Sequence, residues 1–431
     1  MAVPMLAGTL ALNVYNLTDT YFISKLGVMP LAAMGYTLPV VMLLGCIARG
    51  LGAGVTALVS HAIGRHDHKC ASTLVTHSVW LMVGCTIIVT VTGYSLIGPV
   101  FRGLGATGDT LELVSQYMRT WYLGAIFMTI PMLGNGLLIS AGDSKSASRF
   151  MVLGMIINVA LDPIMIFGAF GIPGMGIRGA AIATVIAQAV STFWLLHLLG
   201  RRHKLLKRLA WNAREFWASV KRIAGFGIPN ILSLILLPVS AAIITALLSS
   251  FGDETIAAVG AAGRIEMFAF VVPMALGIAL TPFISQNFGA NRTDRVRQAH
   301  KVATAFAIAY GALVALVFFT FAPWIAKQFS QNQQVIDTLV TYIRIISFGY
   351  GMMEVHRYCG FFLLGMHKPV SSTILNIIRI VALLLPLSFL GAHFWGPVGV
   401  FSGRLVTDVL VGVIGLVWVS RTLRHSVSVE A

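Results

Sequence analysis

The sequence predicts an all-α integral membrane protein with about twelve transmembrane helices in two pseudo-symmetric six-helix lobes. Three observations carry this reading: charge is scarce, apolar runs of membrane-crossing length recur along the whole chain, and the second half repeats the first. Of the 431 residues, 57% are hydrophobic and only 10% are charged, with a mean hydropathy of +0.85. A water-soluble domain carries about 25% charged residues. This chain lacks that polar surface, and lipid is the solvent that satisfies an outward apolar face.

A bilayer-crossing helix needs about 20 apolar residues. Runs of that kind fall near 2–24, 31–60, 72–101, 112–141, 148–171, 176–199, 226–250, 256–287, 299–329, 335–366, 369–393 and 397–420. Several exceed the minimum, which predicts tilt or kinks. The net charge of +15 sits in the short gaps between runs. Connections after even-numbered spans carry Arg65, Lys69, Lys145, Arg149, Arg292 and Lys368, among others. Those after odd-numbered spans offer only Lys25, Arg102, Arg178 and Lys327. The asymmetry predicts both termini in the cytoplasm. It also explains the basic excess without nucleic acid, for which no zinc-finger spacing or aromatic–basic platform is present.

With an offset of 225, Pro4 falls on Pro229, Gly27 on Gly252, Leu31-Ala-Ala-Met-Gly35 on Ile256-Ala-Ala-Val-Gly260, Gly52 on Gly277 and Ser60 on Ser285. With an offset of 223, Gly142 falls on Gly365, Lys145 on Lys368 and Pro163 on Pro386. Six spans per half give both halves one orientation, so the expected symmetry axis runs along the membrane normal, as in parallel-repeat transporters. The expected division is a lobe over 1–199, a basic cytoplasmic linker over 200–225 that includes Arg208, and a second lobe over 226–431. Repeats of this kind favour alternating access.

Ionisable residues inside apolar runs are functional candidates, because each costs at least about 2.5–3.5 kcal/mol at mid-membrane. Asp19 lies 15 residues past Pro4 and Asp162 lies 14 past Ser148, which places both roughly 21–22 Å from the cytoplasmic face. Asn158 precedes Asp162 by four residues, and Tyr15 bears the same relation to Asp19, so each shares a helix face with its acid. No lysine or arginine lies at that depth on either helix. Such a pair can hold a proton or coordinate sodium through oxygen ligands. Glu354 with Arg357 and Arg404 with Asp408 have spacings that permit local neutralisation. Arg264 and Glu266 do not face each other, and Arg379 has no evident partner. Cys46, Cys70, Cys85 and Cys359 form no CxxC pair and read as small apolar residues. The first run carries Asp19 and no small-residue cleavage site, so it reads as a retained helix.

Tyr15-Asn-Leu-Thr-Asp-Thr-Tyr-Phe-Ile-Ser-Lys-Leu-Gly27, Leu31-Ala-Ala-Met-Gly35, Gly50-Leu-Gly-Ala-Gly54, Ser60-His-Ala-Ile-Gly64, Gly142-Asp-Ser-Lys145 and Asn158-Val-Ala-Leu-Asp-Pro163 together resemble the multidrug and toxic compound extrusion family. The acid pair is most similar to that of its DNA-damage-inducible-F branch. The resemblance implies export of organic, often cationic compounds driven by uptake of protons or sodium. It implies that Asp19 binds the coupling ion, with Asp162 and Asn158 as fifth-helix partners. It also implies that the first helix bends at Pro4, and that Tyr15, Tyr117 and Asn135 line the substrate cavity. Family members begin with a longer cytoplasmic lead, so the expectation is that either the start is assigned late or an N-terminal piece is missing. The seventh span has no acidic residue, which favours coupling through the first lobe.

The expected protein is therefore a monomeric antiporter of the cytoplasmic (inner) membrane. It needs no cofactor beyond the proton or sodium, and its partners are membrane lipid and a small organic substrate. A lipid-linked oligosaccharide flippase of the same superfamily is the alternative, since Arg264, Arg344 and Arg379 could line a cavity with cations. An enzyme is disfavoured by the lack of HExxH, GxSxG or paired catalytic Asp motifs. A channel is disfavoured by the lack of a selectivity loop.

Overall fold

A computed structural model describes residues 2–207 and 212–428. Arg208 of the basic connection lies outside the described residues. The chain divides into two compact units, Met1–Gly227 and Ile228–Ala431. The first contains α1 (Ala2–Ser24), α2 (Val28–Gly64), α3 (His68–Ser95), a short α4 (Ile97–Gly103), α5 (Gly108–Ser140), α6 (Ser144–Phe167) and α7 (Gly176–His197). A hairpin pairs β1 (Gly168–Ala169) with β2 (Ile172–Pro173) between α6 and α7. The second contains most of α8 (Ala213–Ser249), then α9 (Asp253–Ala269), α10 (Val271–Gly289), α11 (Thr293–Phe329), α12 (Gln333–Ile346), α13 (Tyr350–Gly365), α14 (Pro369–Ile377) and α15 (Leu385–Ser428).

Among the described residues, nine helical stretches are long and apolar enough to cross a membrane. The last, Pro369–Arg424, holds two crossings, because Gly396 leaves helical geometry at φ 58 just before Pro397. With α1 and the α12–α13 pair, these make twelve. The expected kinks have local causes. One predicted span breaks at Phe270 into α9 and α10, and another passes through a 3-10 turn at Ser347–Gly349 between α12 and α13. A π-helical turn, Ile378–Leu384, joins α14 to α15.

Close helix packing rests on small residues, as apolar interfaces in lipid require. A methyl group added at Gly311 on α11 would collide with the Gly351 Cα on α13. One added at Gly136 on α5 would collide with the Thr56 hydroxyl on α2.

The repeat extends to the backbone. Left-handed turn residues recur at Gly27 and Gly252, at His66 and Asn291, and at Gly142 and His367. The Ser60 hydroxyl donates to Ser140 Oγ, while Ser285 donates to the Gly365 carbonyl. Both sets keep the offset at 225, so Gly142 corresponds to His367 rather than to Gly365. The sequence match at 223 came from aligning two glycines that occupy different places in the turn.

The basic connection is largely ordered. Residues 213–225 are the opening turns of α8. His77 Nδ1 and Ser219 Oγ lie 2.8 Å apart, and Lys207 N donates to Thr76 Oγ1 at 3.2 Å. Asp143 caps α6 by accepting from Ser146 N, and it also meets Arg202 at 3.2 Å and His203 at 3.1 Å. Burial pushes the Asp143 carboxyl up. The Ser146 and His203 hydrogen bonds and the Arg202 charge outweigh that and hold it below the usual carboxylate range.

Candidate ion and substrate site

In the first unit α1 packs along α6, and α6 along α7. That arrangement brings Asp19 on α1 and Asp162 on α6 within electrostatic reach of each other. Asp162 and Asn158 are fully buried and Asp19 is 6% exposed. The i to i+4 spacing on α6 acts as expected: Asn158 Nδ2 donates to Asp162 Oδ1 at 3.1 Å. The same amide reaches Thr184 Oγ1 on α7 at 3.4 Å, and the Tyr15 hydroxyl donates to that oxygen at 3.1 Å. Gln188 lies one turn after Thr184 on α7. Tyr117 on α5 is buried and close enough to feel Asp19, Tyr15 and Asp162.

Four buried carboxylate and amide oxygens of this unit find no hydrogen-bond partner among the described residues: Asp19 Oδ1, Asp162 Oδ2, Asn158 Oδ1 and Asn135 Oδ1. All are acceptors. No lysine or arginine pairs with Asp19 or Asp162 among the described residues. A buried set of acceptors without donors is chemically suited to a proton or a hard cation. Pro4 lies in the first turn of α1, where its missing N–H costs no intrahelical bond, and α1 runs unbroken from Ala2 to Ser24. Thr184 and Gln188 were not singled out in the sequence. Their signal was two polar residues four apart in the otherwise apolar stretch 179–190.

The second unit treats its charges differently. Glu266 on α9 receives Arg404 at 2.8 Å and accepts hydrogen bonds from the Tyr342 and Tyr350 hydroxyls at 2.9 and 3.2 Å. Arg379, carried on the π-helical turn, donates through Nε and Nη2 to Asp408 Oδ1 at 3.2 and 3.0 Å. Glu354 pairs with Arg357 at 3.0 Å, as its spacing predicted. Two expectations are corrected. Arg379 has a partner from another helix. Arg404 engages Glu266 first and reaches Asp408 only at 3.8 Å, because packing of α15 against α12 and the π-helical turn offers closer partners than its own next turn.

Twelve crossings in two repeated halves, with ionisable groups buried in both, define a polytopic membrane protein with an internal repeat. The MatE family pattern matches residues 4–164 and again 229–390, once per half and at the offset read from Pro4 and Pro229. The chain is 34% identical over 413 residues to a Shewanella oneidensis protein described as an FAD transporter, covering 96% of this chain and 91% of that one. It is 24% identical over 423 residues to the multidrug export protein MepA of Staphylococcus aureus, covering 96% and 91%. The Vibrio cholerae MATE transporter VcmN in its bent form superposes with a TM-score of 0.93 at 30% identity, covering 98% and 95%. A Pyrococcus furiosus transporter of the MOP superfamily, described as having a binding pocket of reverse polarity, gives 0.89 at 26% identity, covering 98% and 94%. This chain belongs to the MatE family of membrane transporters.

Proposed function

We propose that this protein is a secondary antiporter of the cytoplasmic membrane that exports organic compounds in exchange for protons or sodium. Asp19, Asp162 and Asn158 take the coupling ion. The observation that carries this reading is the buried set of unpartnered acceptor oxygens on α1 and α6, with no lysine or arginine paired to them among the described residues. A proton would satisfy one carboxylate and leave the other to accept. Sodium would draw on the Asp19, Asn158 and Asp162 oxygens together. Loading neutralises the pair, alters the packing of α1 near Pro4 and lowers affinity for a cationic cargo, so ion and cargo need not touch. Tyr15, Tyr117 and Asn135 complete the cargo side of the first unit. The chain works as a monomer with both termini in the cytoplasm, in contact with lipid but not with nucleic acid, and with no cofactor beyond the ion.

The multidrug relatives support an organic cation as cargo, and the Shewanella relative supports FAD. The test is efflux from proteoliposomes of a fluorescent organic cation and, separately, of FAD. An imposed pH gradient and then a sodium gradient are applied to wild type and to Asp19→Asn. Export driven by one gradient and reduced at least about tenfold in the variant is the expected result. Undiminished coupled export by the Asp19→Asn/Asp162→Asn double variant would sink the proposal. Export of lipid-linked sugar without either gradient would favour the flippase alternative.

A further inference from the structure

The arginines inside the membrane-crossing runs of the second unit, 256–287, 335–366, 369–393 and 397–420, divide into two kinds. Arg357, Arg379 and Arg404 are neutralised by Glu354, Asp408 and Glu266, and Arg344 lies over the Phe319 ring. Arg264 is different: it is exposed on α9 and has no ion pair or hydrogen bond among the described residues. Its depth makes that costly. It lies about three turns past Asp253, the first residue of α9, roughly 16 Å along the axis. A side chain stretched back toward the helix start would still hold its charge well below the interface. Charges at such depth face the bundle interior or water rather than lipid tails, and they mark substrate paths.

The surroundings of Arg264 are open. A methyl group added at Gly260 or Gly263 would meet nothing within 4 Å. Met267 and Phe268, one turn further on, are 37% and 63% exposed. The repeat adds an independent observation. At the offset of 225, Ala257, Gly260 and Arg264 correspond to Ala32, Gly35 and Pro39. Those three, with Tyr36 and Leu104, line a recess of about 320 Å³ in the first unit. The same helix face is concave and uncharged in one half and carries a lone guanidinium in the other.

We propose that Arg264 is the oxyanion-recognising contact of the transported compound. Its planar fork binds a phosphate group of an organic cargo, and Phe268 and Met267 pack against the cargo's ring system. The guanidinium geometry matches phosphate with two parallel N–H donors, and lysine does not reproduce that fork. This inference rests on the transporter reading above and names the chemistry of its substrate.

The experiment measures equilibrium binding, with no ion gradient, of flavin mononucleotide and of riboflavin to the full chain in nanodiscs. The two share a ring and differ by one phosphate. Wild type is expected to prefer the mononucleotide. Arg264→Gln is expected to weaken it about ten- to a hundredfold while leaving riboflavin within about twofold, and Arg264→Lys is expected to fall between. Nanodiscs of neutral lipid and of anionic lipid are compared, because a lipid headgroup offers the same phosphate. Competition by anionic lipid that Arg264→Gln abolishes would assign the residue to lipid and overturn the proposal. Equal binding of the two flavins, no binding of either, or an equal loss of both in Arg264→Gln would also overturn it. The binding is read without an ion gradient and involves no coupling step. A failure of ion coupling in the efflux assay is therefore separable from a failure here.

Discussion

The two units bury acids of the same kind in opposite ways. In the first, Asp19 and Asp162 share a site with amide and hydroxyl groups and no base. In the second, Glu266, Glu354 and Asp408 each face a guanidinium, and two tyrosine hydroxyls complete Glu266. The Glu266–Arg404 and Asp408–Arg379 pairs hold helices in one arrangement, although Glu354 Oε2 and Asp408 Oδ2 accept no hydrogen bond among the described residues. An open set of acceptors keeps a desolvation cost until something positive arrives. On the proposal above, buried charge alone does not mark a coupling site in this fold; the balance of charge within the cluster does.

The sharpest way to break this comparison is to remove one charge from each unit. Asp408→Asn leaves Arg379 buried without its counter-ion and should cost about 3–5 kcal/mol, whereas Arg379→Met with Asp408→Leu should recover most of the loss. Asp19→Asn should leave thermal stability unchanged or raise it, because it removes an unpaired charge. Thermal unfolding in detergent reads both. Comparable destabilisation by the two Asn variants would erase the distinction.

A smaller effect is expected at Thr184. Replacing it by valine keeps the volume and withdraws the acceptor used by Tyr15 and Asn158, for a cost of about 1–2 kcal/mol. The ion-concentration dependence of efflux should shift in the same variant. An unshifted dependence would detach α7 from the site.

The smallest effect concerns Asp143, outside the membrane-spanning segments. Its carboxyl is held below the unfolded value, so the charge stabilises the folded chain above the unfolded pKa of about 4. That contribution is lost as pH falls through the lowered folded value. Asp143→Asn should therefore lose a few tenths of a kcal/mol near neutrality, where Arg202 is largely solvated. Its unfolding temperature should converge with that of wild type in acid. A gap that persists at low pH would point to packing rather than charge.

Much of the fold was legible because lipid imposes a rule readable along one dimension: backbone groups must be satisfied within each helix, so runs of about 20 apolar residues announce the crossings. The repeat was legible for the same reason, since helix lengths and turns recur at one spacing. The acid pair also stood out, because Asp19 and Asp162 interrupt apolar runs at matched depth and Asn158 lies one turn from Asp162. Pairing between distant helices was not legible. Arg379 meets Asp408, and Arg404 prefers Glu266 over the acid four residues away, because the π-helical turn and the α9–α12–α15 packing set those distances. Thr184 joined the site only when α7 packed against α6. The sequence by itself determined the solvent, the number of crossings, the duplication and the places where charge enters the membrane. Only the tertiary structure decided which charges are neutralised and which stand alone, because that depends on side chains brought together from helices far apart in the chain.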